Sequence, residues 1–387
     1  PEKTEVFLSA NILKNAMGVG IPGTGMVGLP IAVALGTLIG KSAYGLEVLR
    51  DLTPEALAEG KQVIEDKRIH IALKDNVDKL YIEVICSAGD ETSRVIICHE
   101  HTNVVYVEKN GVVLTDRRKE GVSCDASGDE DELRLSFSTV YEFAMEMPLD
   151  EIRFILETAD LNRKAAEASL KGNFGHTVSK TVSGVYGRKY MGDSAYTHML
   201  AMTAAACDAR MDGAMIPVMS NSGSGNQGIC ATNPVAVYAE ENENTEEELI
   251  RALTLSHLTA IYIKQNLGKL SALCGCVVAS IGSSCGITYL MGGDYNHICW
   301  SVKNMIANIT GMICDGAKPS CALKISSGVS TALLSALLSM EGKCVSSVEG
   351  IIDNDVDRSI RNLTSIGAEA MNRTDEMVLD IMTHKSC

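Results

Sequence analysis

Four cysteines stand in two short stretches whose residue types could do chemistry. Cys274 and Cys276 lie in LCGC, and Cys314 and Cys321 bracket the turn-like DGAKPS of GMICDGAKPSCALK (311–324). Thiolates that share one iron–sulfur cluster need only meet in the fold, not in sequence. A cluster held by three of them leaves one iron open, and an open metal is a Lewis acid. Zinc is the competing metal, and it prefers a closed set of four ligands for a structural role. Spacing alone ranks buried structural thiols ahead of either metal, because cysteine commonly serves as a small core residue.

A second stretch, SNSGSGNQG (220–228), is built from small side chains, amides and hydroxyls. Closely spaced glycines let backbone N–H groups converge into a nest for a carboxylate or a phosphate. A tight polar loop between buried helices fits the same residues. The stretch contains a G-x-G-x-x-G match, as do Gly18–Gly23 and Gly23–Gly28. A dinucleotide site also needs a preceding strand, an uninterrupted helix and a βαβ unit. Pro22, Pro30 and Pro234 interrupt these contexts, so no dinucleotide site is expected. CHEH (98–101) alternates on a strand, which brings only His99 and His101 to one face, too few ligands for a zinc centre.

The elements that must hold these residues are mostly helical. The chain has 387 residues, 46% hydrophobic and only 4% aromatic, with 34 glycines. Closely packed helices suit that composition better than a strand-rich fold, and the length suits about two or three domains. Residues 1–62 are expected to form the N-terminal part of the helical domain. They carry a strand-like EVFLSANIL, an apolar helix LPIAVALGTLIG, and an amphipathic helix capped by Thr53 with Pro54 at its first position. Residues 63–147 read as a small antiparallel β domain of three or four strands with a KNG hairpin at 109–111 and a linker at 123–132. Residues 148–387 read as the α-helical domain that binds cluster and substrate. The fold class is therefore α+β.

A formal net charge of −15 argues against nucleic acid as a partner. The uncharged window 272–293 is long enough for a bilayer, but its Gly, Ser and Cys content reads as a buried helix pair, so no membrane is expected. PEKTEV has no signal-peptide features. The 13 cysteines are scattered singly and odd in number, which fits reduced thiols in the cytoplasm rather than a disulfide framework.

Four stretches taken in order carry a resemblance that covers nearly the whole chain: KNAMGVGIPGTGMVGLPIAVALG (14–36), MSNSGSGNQGI (219–229), KLSALCGCVVASIG (269–282) and NMIANITGMICDGAKPSCALK (304–324). They resemble the serine dehydratase-like family of L-cysteine desulfidases, an uncharacterised conserved family related to the alpha chain of iron–sulfur L-serine dehydratase. The resemblance implies a [4Fe–4S] cluster on Cys274, Cys314 and Cys321, with Cys276 as the alternative to Cys274. It implies β-elimination without pyridoxal phosphate, turning L-cysteine into sulfide, ammonia and pyruvate, with L-serine as the second substrate. Ser222, Gly223, Ser224, Gly225, Asn226 and Gln227 would then hold the carboxylate of this small amino acid.

Family members usually begin with a helical segment carrying a Gly-Cys-Thr-Glu-Pro motif that is not in this sequence. Lys318 is therefore the local candidate for the base, and an inactive or purely binding homologue is the alternative. By analogy with iron–sulfur serine dehydratases, Cys387 is a possible fourth cluster ligand. A homodimer is the expected assembly for such an enzyme.

Overall fold

The structure is a computed structural model, and it describes residues 1–118, 133–268 and 270–385. The described residues form two compact units. The first takes in the described residues of 1–133, 315–317 and 375–387, and the second those of 134–314 and 318–374.

The first unit is built on strands β1 (Lys3–Leu8), β4 (Ile69–Leu73), β5 (Tyr81–Ala88), β6 (Glu91–Cys98), β7 (Val104–Lys109) and β8 (Val112–Asp116). They pair in the order β4-β1-β5-β6-β7-β8. Helices α1 (Ala10–Ala16), α2 (Leu29–Ile39) and α3 (Pro54–Glu65) lie between β1 and β4, with the two-stranded ribbon of β2 (Gly20–Ile21) and β3 (Met26–Val27) ahead of α2. Thr53 caps α3 as expected, its side chain accepting from the Ala56 N–H at 3.2 Å.

The sheet departs from the expectation in two respects. It has six strands, and it is mixed, because β1 pairs parallel with β4 and antiparallel with β5. β1 accounts for the mixed pairing and for one added strand, while residues 66–118 hold five strands, β4–β8, rather than three or four. β1 enters the interior of the sheet, and a parallel neighbour requires a crossover, which α1–α3 supply. Residues 1–62 therefore belong to the sheet unit rather than to the helical one. His99 is not on a strand, since β6 ends at Cys98 and His99 turns at φ +68°. The linker expected at 123–132 lies outside the described residues.

The second unit is helical: α4 (Phe137–Glu146), α5 (Leu149–Ile152), α6 (Leu156–Lys171), α7 (Val178–Ser183), α8 (Val185–Met191), α9 (Ala195–Met211), α10 (Gly225–Glu241), α11 (Glu246–Leu267), α12 (Gly275–Leu290), α13 (Tyr295–Ile309), α14 (Cys321–Met340) and α15 (Val356–Ser365). A last helix, α16 (Asn372–His384), crosses into the first unit.

The window 272–293 holds a single buried helix, α12, packed between α10, α11 and α14. Its small residues let backbones approach closely. A side chain on Gly282 would strike the Ser256 carbonyl of α11, one on Gly286 would meet Val235 of α10 at 2.9 Å, and one on Gly328 of α14 would strike the Ser280 hydroxyl. The hydroxyls of Ser283, Ser284 and Thr288 bond to carbonyls three or four residues back, which satisfies them in an apolar interior. Among the described residues one helix, α14, is long and apolar enough to cross a membrane by length and composition, and 44% of its most apolar window is buried inside the protein.

Candidate functional site

The registers of α10, α12 and α14 bring their N-termini together. Gln227 lies against Gly275, the Cys230 sulfur lies 3.1 Å from the Ser280 hydroxyl, and Val235 lies against Gly286. Contacts that advance together along both chains mean that α10 and α12 run parallel from a shared end. Gly328 against Ser280 and Met340 against Gly293 give α14 the same direction. α9 runs the other way, with Cys207 and Arg210 in its last turns reaching Asn226 at the start of α10. One end of the helical unit therefore gathers three positive helix ends.

Three of the cysteines singled out from the sequence are at these ends. Cys274 is the residue before α12, Cys276 is in its first turn, and Cys321 opens α14. Cys314 joins them through a short antiparallel bridge. Leu273 pairs with Ile313, the Cys274 N–H donates to the Met312 carbonyl at 3.0 Å, and the Cys314 N–H donates to the Ala272 carbonyl at 2.6 Å. Because side chains alternate on extended chain, Cys274 and Cys314 leave this bridge on the same side.

Cys274, Cys276 and Cys321 are buried and Cys314 is half-buried. A hydrogen bond that the Cys276 thiol donates to Cys274, and then burial, push that thiol well above its ordinary range. Burial raises Cys321, with Cys274 and Cys314 adding to the rise and Lys318 opposing it. Burial likewise raises Cys207, and lifts Cys230 to about 12. Buried thiols beside one another resist ionisation unless a cation shares the site.

This donor set fits an iron–sulfur cluster. It is all sulfur and largely buried, and it stands at positive helix ends. Among the described residues no three His, Cys, Asp or Glu side chains stand close enough to share a single metal ion. A cubane spreads its thiolates more widely than one ion does. Cys387 lies outside the described residues.

The polar loop divides into a turn and a helix start. Asn221 and Ser224 exchange backbone hydrogen bonds of 3.1 and 2.9 Å around Ser222 and Gly223, both with positive φ, the geometry of a tight hairpin turn. Ser222 and Gly223 are exposed, whereas Gly225, Asn226 and Gln227 are buried in the first turn of α10. Ser224 caps that helix, accepting from the Gln227 N–H at 3.4 Å. Asn221 anchors the turn by donating to the His257 carbonyl and ring, each at 3.1 Å, and the far nitrogen of that ring lies 2.9 Å from the Thr232 hydroxyl. Burial lowers His257 to about 4 and keeps it neutral. Lys318 stands beside the cysteines, its carbonyl accepting from the Cys321 N–H at 2.8 Å.

Arg210 escaped the sequence reading. It sits in CDARMDG, with no motif to mark it, and only the return of α9 to the start of α10 makes it a site residue. Its half-buried guanidinium donates to the Asn226 side-chain oxygen at 3.1 Å, and among the described residues no carboxylate pairs with it.

A helical unit with thiols and a polar loop at one end, joined in sequence to a mixed-sheet unit, is the class that the fold and site define. The chain belongs to the serine dehydratase alpha chain family, whose model matches residues 43–380. It is 74% identical over 387 residues to a UPF0597 protein of Parabacteroides distasonis, 66% over 391 residues to one of Bacteroides fragilis, and 58% over 389 residues to one of Porphyromonas gingivalis. Each alignment covers 100% of this chain and 90% of the relative. The family membership makes the protein a relative of lyases.

Proposed function

We propose that the protein is an iron–sulfur lyase that removes the β-substituent of a small L-amino acid, L-cysteine first and L-serine second. The observation that carries this reading is the meeting of Cys274, Cys314 and Cys321 at the N-termini that also present Asn226 and Gln227. Those three cysteines would hold a [4Fe–4S] cluster, with Cys276 as the alternative to Cys274. When bound, such a cluster supplies an open iron, a Lewis acid for a departing sulfur or oxygen.

The chain's own residues do the rest. The first turn of α10 receives the carboxylate, since backbone N–H groups and the helix dipole both favour an anion there. Lys318 takes the α-proton. Loss of that proton and of the β-thiol gives hydrogen sulfide and aminoacrylate, which tautomerises to an imine. Water adds to the imine and releases ammonia. The balance is L-cysteine plus water to pyruvate, ammonia and hydrogen sulfide, and with L-serine the hydroxyl leaves as water. The buried surroundings of Gly225–Gln227 keep bulk water from the forming anion.

The test is anaerobic reconstitution with iron and sulfide, followed by pyruvate and sulfide assays on L-cysteine and L-serine. Pyruvate from either substrate is the expected result, and reconstituted protein that yields none from both overturns the reading. A Lys318→Gln variant with wild-type turnover removes Lys318 as the base and leaves the rest standing.

A further inference from the structure

Half-buried Arg210 in the last turn of α9 and buried Gln227 in the first turn of α10 lack opposite partners among the described residues. Arg210 bonds the neutral Asn226 oxygen at 3.1 Å and lies 3.9 Å from the Met211 sulfur, with no carboxylate partner among the described residues. A guanidinium withdrawn from water without an anion is costly. It lies hard against the start of α10, because a side chain on Gly225 would collide with its Nε and would meet Val218 at 2.9 Å. Among the described residues, the N–H groups of Gly225 and Asn226 have no protein acceptor either. Cation and N–H groups both favour an anion there.

Gln227 shows the converse. It is 4% exposed, its Oε1 is buried, and among the described residues that oxygen has no donor. The amide packs against the backbone of Gly275 between Cys274 and Cys276, where a Cβ would lie 3.0 Å from its Cδ. A buried carbonyl oxygen that lacks a donor is costly, so a ligand N–H group is favoured there.

We infer that Arg210 holds the α-carboxylate, and Gln227 the α-ammonium, of the amino acid that the protein acts on. Recognition then falls on the zwitterion, while the β-substituent is left to face the thiols. This rests on the reading of the site as one for a β-substituted amino acid. It goes beyond that reading by assigning the two ends of the substrate to two residues.

The probes are L-alanine, propionate and L-alaninamide, which carry both charged groups, the carboxylate alone and the ammonium alone, with no leaving group. Each is titrated calorimetrically into anaerobically reconstituted full-length protein. The expected result for Arg210→Gln is at least about tenfold weaker L-alanine binding, with L-alaninamide changed less than about twofold, since a charge-assisted bidentate contact is lost. The expected result for Gln227→Leu is about fivefold to tenfold weaker binding of L-alanine and L-alaninamide, with propionate unchanged. If Arg210→Gln does not fold, Arg210→Lys carries the comparison, because it keeps the charge and loses the fork.

Wild-type protein that does not bind L-alanine, or binds it no better than propionate, overturns the inference. So do variants that bind L-alanine as the wild type does. Turnover of L-cysteine by wild-type protein in those cases means that only the recognition scheme has failed. L-alanine binding that follows Arg210 and Gln227 without any turnover means instead that the proposed reaction has failed.

Discussion

The Arg210 guanidinium donates to the Asn226 side-chain oxygen at 3.1 Å, and it reaches that oxygen across a residue, Gly225, that has no side chain to obstruct it. Gly225 has an ordinary helical backbone, so its role here is space and not conformational freedom. In Gly225→Ala the new methyl group meets Arg210 while the helix gains a better helix former. The expected outcome is a protein that melts within a few degrees of wild type, while its KM for L-cysteine rises about tenfold or more, because a misplaced anchor costs binding rather than folding. Steady-state kinetics beside a thermal melt separate the two effects.

The bridge of Leu273 with Ile313 places Cys274 and Cys314 on one side, whereas Cys276 points from the first turn of α12 toward a bond with Cys274. Alanine at Cys274, Cys314 or Cys321 is expected to remove most of the iron and acid-labile sulfide taken up on reconstitution. Cys276→Ala is expected to retain both. Metal and sulfide analysis of the four proteins checks this, and iron loss confined to Cys276→Ala would move the ligand assignment to that residue.

Much of this was legible in the sequence, and what was not has definite causes. The Thr53 cap and the helices over LPIAVALGTLI and TEEELIRALTLSHLTAIYIKQNL follow local signals, and local signals survive folding. Cys274, Cys314 and Cys321 stand out by type and by resemblance. β1 was readable as a strand, but its place inside the sheet depends on pairing with β4 and β5, sixty or more residues away. Arg210 is invisible for the same reason, since its meeting with Asn226 depends on the antiparallel return of α10 along α9. Its only local trace is a glycine at 225, which the sequence could equally assign to a turn.

His257 links acidity to stability. Burial sets its folded pKa at about 4, below the ordinary value of 6.5, so the unfolded chain binds the proton more readily. Its contribution to stability is present above pH 6.5 and is lost as the pH falls from there to about 4. The slope approaches about 1.4 kcal/mol per pH unit, giving a loss of about 3 kcal/mol across the window. Urea unfolding of wild type and His257→Gln at several pH values isolates this contribution. The stability difference between the two is expected to shrink by that amount on acidification, and a difference that does not vary with pH would refute it.

Lys14 is 1% exposed, and its ammonium pairs with Asp375, 10% exposed, inside the sheet unit. Gly316 packs against the Lys14 carbonyl, where any side chain would clash, so the pair sits among closely fitted backbone. Removing the Lys14 charge leaves the Asp375 carboxylate buried without its cation, whereas removing both charges trades an ion pair for apolar contact. Lys14→Met is therefore expected to cost about 3–5 kcal/mol, and adding Asp375→Leu is expected to recover most of it, because the desolvation penalty of two buried charges rivals their attraction. A double-mutant cycle by urea denaturation gives the coupling directly. A double variant as unstable as the sum of its single changes would mean that Lys14 and Asp375 act through separate neighbours rather than through each other.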